Sequence, residues 1–112
     1  MASLSGKRLA KEQVRKLLSR ILHSGGDLRF TEYCEKRMLE RGITTLTVVN
    51  VLERGVVKDA EEYAHGKATQ WRYRVETNRY RVVVTFEVES AAVVINAIDF
   101  APHLGASKAK GD

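Results

Sequence analysis

The hydrophobic period of the chain changes once, at Gly55. Before it, apolar residues recur every three or four positions; after it, every two. The first spacing belongs to amphipathic helices and the second to half-buried strands. Leu9, Val14, Leu17, Leu18, Ile21 and Leu22 form one stripe and predict a helix from Lys7 to His23, stopped by Gly25 and Gly26. Thr31 is a good N-cap for a second helix, Glu32 to Arg41, because its hydroxyl accepts from an orphan backbone N–H. Glu32 and Glu35 then sit favourably against the positive end of the helix dipole. Gly42 ends that helix. Thr44 caps a third, Thr45 to Arg54, which Gly55 ends.

Beyond Gly55, Trp71, Tyr73 and Val75 alternate with Gln70, Arg72 and Arg74. Tyr80, Val82, Val84, Phe86 and Val88 alternate with Arg81, Val83, Thr85 and Glu87. Residues 77–79 and 89–91 make tight connections, and Ala92 to Phe100 reads as a last strand. Val56 to Tyr63 is a weaker first strand, rich in acids and so placed at an edge. The expected fold is α+β: three helices on one face of a four-stranded antiparallel sheet, with Arg72, Arg74 and Arg81 on the open face. Residues 1–100 form one domain, helical over 7–54 and sheet over 56–100, and residues 101–112 a flexible tail. Leu17, Leu18, Met38, Val48, Leu52, Val82, Val84 and Phe86 are the expected core.

At 112 residues the chain suits a single domain. No apolar run approaches the ~20 residues that span a bilayer. The first residues are polar and basic, so no secretory signal, no membrane and a cytoplasmic location are expected. One cysteine, Cys34, rules out an internal disulfide and a cysteine-rich zinc site. The net charge of +5 matters through its placement. All of the excess lies in residues 1–29, which suggests an acidic partner, with Arg8, Lys11, Arg15 and Lys16 as the contact residues. A solvated helix face is the plainer alternative.

Neither a phosphate loop, a nucleophile elbow, a dinucleotide fingerprint nor a metal-ligand spacing occurs, so no metal and no small-molecule cofactor is expected. The strongest chemical signal is the stretch 58–81, where Lys58, His65, Lys67, Gln70, Arg72, Arg74, Arg79 and Arg81 interleave with Tyr63, Trp71, Tyr73 and Tyr80. Cations hold phosphates and aromatic rings stack on unpaired bases. A metal-independent ribonuclease needs little more: a general acid/base for the ribose hydroxyl and cations for the charge that builds on phosphorus. Cys34 reads as an inert core thiol and His23 as a helix C-terminal cation.

The run L-R-F-T-E-Y-C-E-K-R-M-L-E-R-G-I-T, with V-V-N-V-L-E-R-G after it, resembles a bacterial family of small proteins of unknown function. That family's pattern is S/T-x-H-A-x-x-R-M-x-E-R-G-I-T, followed by a helix, a Gly, a W-R-Y-type strand and a V-V-V-T-type strand. The resemblance covers about Phe30 to Ala97. Tyr33-Cys34 stands where that family has His-Ala. The order of elements is also similar to the motility quorum-sensing regulator toxins, mRNA interferases of RelE-like fold that pair with an antitoxin. Lys58, Tyr63, Trp71 and Tyr80 fall in that pattern's places, Arg72 replaces its Gln, and its late basic residue has no counterpart near Ala97–Asp99. The resemblance implies the toxin of a toxin–antitoxin pair, a metal-independent endoribonuclease on single-stranded mRNA. Lys58 and Arg72 would then hold the phosphate, Tyr80 would serve as acid/base, and His65, Lys67, Arg74 and Arg81 would contact RNA. The alternative is a non-catalytic RNA- or protein-binding module.

Overall fold

The computed structural model describes residues 4–101, apart from Lys67 and the side chain of His65. The expectations for Lys67, for the His65 side chain and for the tail from Pro102 onward lie outside the described residues.

A short 3-10 turn, Leu4–Gly6, opens the described chain. The elements that follow are α1 (Lys11–His23), β1 (Asp27–Phe30), α2 (Glu32–Arg41), α3 (Thr45–Arg54), β2 (Val56–His65), β3 (Ala68–Glu76), β4 (Tyr80–Val88) and β5 (Ala91–Asp99). The second and third helices start where their caps demand. The Thr31 hydroxyl accepts from the Cys34 N–H, and the Thr44 hydroxyl from that of Thr47. Gly42 closes α2 in the left-handed conformation, at φ 67°.

Two expectations need correction. The sheet has five strands, not four, and it is mixed: β1-β5-β4-β3-β2, with β1 and β5 parallel and the other pairs antiparallel. The added strand is D-L-R-F, four residues between α1 and α2. It threads into place because Gly26 lets the chain pass close to the α1 backbone; a Cβ there would lie 2.8 Å from Ile21 Cα. The four-stranded antiparallel, RelE-like arrangement is therefore not what this chain forms. The first helix also starts later, at Lys11 rather than Lys7. The Tyr73 hydroxyl accepts from the Leu9 N–H at 2.8 Å and donates to the Lys7 carbonyl at 3.1 Å, so strand β3 takes the carbonyl that a helix from Lys7 would offer to the Lys11 N–H.

The helices bring their apolar stripes to one face of the sheet. Val14, Leu18 and Ile21 of α1, Cys34 and Met38 of α2, and Val48, Val51 and Leu52 of α3 meet Tyr73, Val75, Val82, Val84, Phe86, Ala92, Val94 and Ala97. Of the expected core, Leu17 alone is only partly buried. The register confirms which side is which: Tyr73 opposes Val84 and Val75 opposes Val82, while Arg74 opposes Val83 and Glu76 opposes Arg81 on the other side. That other side carries Arg72, Arg74 and Arg81, as expected. Strand β2 is an edge strand. Among the described residues no helix is long and apolar enough to cross a membrane.

Two variants probe this packing in urea unfolding. Leu52 is fully buried, so Leu52→Ala should cost about 2–5 kcal/mol. Tyr73→Phe keeps the ring but strands the buried Leu9 N–H, which should cost about 1–3 kcal/mol. A loss under about 0.5 kcal/mol in the second case would mean that the N-terminal segment is not held by this hydroxyl.

Candidate nucleic-acid interface

Strand β2 departs from strict alternation at one place. Val57 pairs with Val75 and Ala60 with Tyr73, so Lys58 and Asp59 together face the single residue Arg74. This is a β-bulge on an exposed edge, a device that re-aims side chains. The odd spacing V-K-D-A was its only trace in the sequence.

The N-terminal segment comes to the same place. Held by Tyr73, it sets Arg8 and Lys11 beside the bulge. Lys11 Nζ lies 3.2 Å from Asp59 Oδ1, and the Arg8 guanidinium sits 5.4 Å from the centre of the Trp71 ring. Between them opens a cleft of about 300 Å³, whose charged lining is Arg8, Lys11, Lys58 and Asp59, with Tyr73 in its wall. Lys58 also borders a second cleft of about 360 Å³ together with Arg54, Glu76, Thr77 and Asn78. The hydrogen bond and charge of Lys11, then the charges of Arg8 and Arg74, hold the Asp59 carboxyl below the usual carboxylate range. Among the described residues the Lys58 side chain makes no hydrogen bond or ion pair. Among the described residues Arg74 Nε is buried without a hydrogen-bond partner. Residues that the sequence assigned to separate roles, Lys58 to catalysis and Arg8 and Lys11 to a partner, thus line one cleft.

The expected catalytic trio is not brought together. Arg72 lies on the open face, where its Nε donates to Gln70 Oε1 at 2.7 Å and its guanidinium stacks 3.8 Å from the centre of the Tyr63 ring. Tyr80 lies on the helix-bearing side, packed against the core, with the Arg79 guanidinium 5.1 Å from its ring. The sheet itself stands between Arg72 and Tyr80. Arg81 is held by Glu76 at 2.6 Å and leans on the Phe100 ring. Arg79 is paired with Asp99, which depresses that carboxyl. Tyr33, in the place of the resembled family's His, is exposed on α2 and accepts from Arg37 Nε at 3.1 Å. Cys34 is buried, and that burial pushes its thiol up to about 11, as suits an inert group. Among the described residues no group of three or more His, Cys, Asp or Glu side chains is placed to hold a metal ion.

Arg15 and Lys16, neighbours in sequence, do different things. The Arg15 guanidinium donates to the carbonyls of Leu52 at 2.6 Å, Glu53 at 3.2 Å and Gly55, capping the last turn of α3. Lys16 is exposed on the far side of α1. Arg15→Ala should therefore lower stability by about 1.5–3 kcal/mol, the range for hydrogen bonds to charged groups. Lys16→Ala should stay within about 0.5 kcal/mol of wild type. Equal thermal shifts for the two would refute the capping role.

Set against protein-family models, curated proteins and solved structures, the chain matches none.

Proposed function

We propose that the chain is a domain that binds single-stranded RNA, gripping the sugar–phosphate backbone at the basic edge around Lys58. One observation carries this reading: Arg8 and Lys11, some fifty residues from Lys58 in sequence, converge with it on one small cleft whose lining holds a single carboxylate. Cations gathered without matching acids are the electrostatic footprint of a phosphate ligand. The open face continues from there. Two positions along β3 from Arg74 stands the Arg72–Tyr63 stack, with Tyr63 substantially exposed. Guanidinium planes and aromatic rings are stacking platforms for unpaired bases, which favours single-stranded RNA over an acidic protein surface. The reading goes with a cytoplasmic location.

Binding, rather than cleavage, is what the arrangement favours. Metal-independent cleavage asks one phosphate to meet an acid/base and a stabilising cation at once, and Arg72 and Tyr80 lie across the sheet from each other. The toxin reading with its antitoxin partner rests on the resemblance; Lys58, uncommitted to any ion pair among the described residues, is the group that would serve it.

Anisotropy titrations of a labelled single-stranded RNA oligomer test the proposal. Lys58→Ala and Arg8→Ala should each weaken binding. Removing one phosphate-binding cation should flatten the dependence of log K on log salt by roughly 0.7. Asp59→Asn, which removes the carboxylate from the cleft, should tighten binding. Affinity unchanged in the Arg8→Ala, Lys58→Ala double variant would overturn the basic edge as the binding site. RNA fragments appearing in chelator with wild type and not with Lys58→Ala would establish cleavage in its place.

A further inference from the structure

We infer that a second copy of this chain docks on the outer face of α2, in an isologous dimer that leaves both basic edges free. Three observations at this face carry the inference. Leu39 is 87% exposed on α2 and Leu46 77% exposed on the first turn of α3. Beside them runs a cleft of about 700 Å³ with Phe30, Met38 and Ile43 in its lining. Apolar knobs and an apolar groove thus share one patch, which is the self-complementarity that a two-fold interface requires.

The charge at the groove selects the occupant. Its charged lining residues are Glu35 and Lys36, adjacent and opposite in sign. Neither forms an ion pair among the described residues. Such a neutral rim gives a nucleic acid or an acidic protein nothing to hold. Another copy of the same rim, turned about a two-fold axis between these residues, sets each carboxylate against the partner's ammonium. The rest of the molecule permits it. Phe30 belongs to β1 at one end of the sheet and Lys58 to β2 at the other. Four strand spacings separate them, about 19 Å, well beyond the ~8 Å screening length at physiological salt. Two chains of net charge +5 can therefore meet here without opposing their basic edges.

Sedimentation velocity of the full chain, across roughly a hundredfold range of concentration, reads the outcome. Wild type should shift from the 12.6 kDa monomer toward twice that mass. Leu39→Glu, at a site too exposed to matter for folding, should remain monomeric with an unchanged circular dichroism spectrum. Glu35→Lys alone and Lys36→Glu alone should each weaken the dimer, because each puts like charges across the axis. The double exchange Glu35→Lys with Lys36→Glu should restore it. Restoration is specific to a self-partner; a structural effect of either substitution would persist or add. A wild type that stays monomeric throughout overturns the inference, and so does a dimer indifferent to Leu39→Glu. Either result leaves the groove to a different protein and leaves the RNA titrations unaffected.

Discussion

The Tyr73 hydroxyl is the contact on which the functional edge depends. Its ring lies in the core, tilted against Phe86 at 5.8 Å between centres. Its oxygen reaches the opposite way, to the backbone of Lys7 and Leu9. Burial raises the phenol above its ordinary range, so it keeps the proton that it donates to the Lys7 carbonyl. Through that pair of bonds, together with the packing of Leu4 and Leu9 against the core, the N-terminal segment is fixed to a strand more than sixty residues away. Arg8 and Lys11 reach the β2 bulge because that segment is fixed there. Core packing and the surface charge pattern are thus joined at one side chain.

The cations around the sheet fall into two populations. On and around the open face they are mostly answered: Arg81 by Glu76, Arg29 by Asp27 and Glu87, Arg79 by Asp99. The exposed Arg29 pairs contribute little stability, each about 0–1 kcal/mol, but all of these pairs cancel the local field. In the cleft at the β2 bulge, Arg8, Lys11 and Lys58 stand around Asp59 alone, while Glu61 and Glu62 lie further along the same strand. Arg15 and Lys16 stand outside both groups: one caps a helix, the other faces solvent.

Local features were legible in the sequence and long-range ones were not. The limits of α2 and α3 follow from Thr31, Gly42, Thr44 and Gly55, each acting on its own neighbours. The strands from Val56 onward follow from alternation. The separation of Arg72 from Tyr80 was already implied by that alternation: Arg72 sits between Trp71 and Tyr73, which face the helices, whereas Tyr80 is in phase with Val82 and Val84. Strand β1 was not visible, because four residues are too few for a period and its partner lies more than sixty residues on. The late start of α1 was hidden because Leu9 fits the helical stripe equally well. Lys58 and the basic N-terminal residues could each be singled out, but their meeting depends on a bulge, whose one local trace is the V-K-D-A spacing, and on a phenol, which leaves none.

The parallel pairing of β1 with β5 has a consequence for how the chain folds. Strand β5 is the last in sequence yet lies second in the sheet, hydrogen-bonded to β1 on one side and β4 on the other. Residues 27–30 therefore wait for residues 91–94 before their ladder can close. A contact spanning most of the chain incurs its loop-closure entropy before it returns any stabilisation, and such topologies fold slowly. On a ribosome, α2 emerges with its cap in place long before β5, the strand it packs on, whereas α1 and α3 also meet β2, β3 and β4. The apolar face of α2 therefore stays exposed until residues 91–99 have left the tunnel.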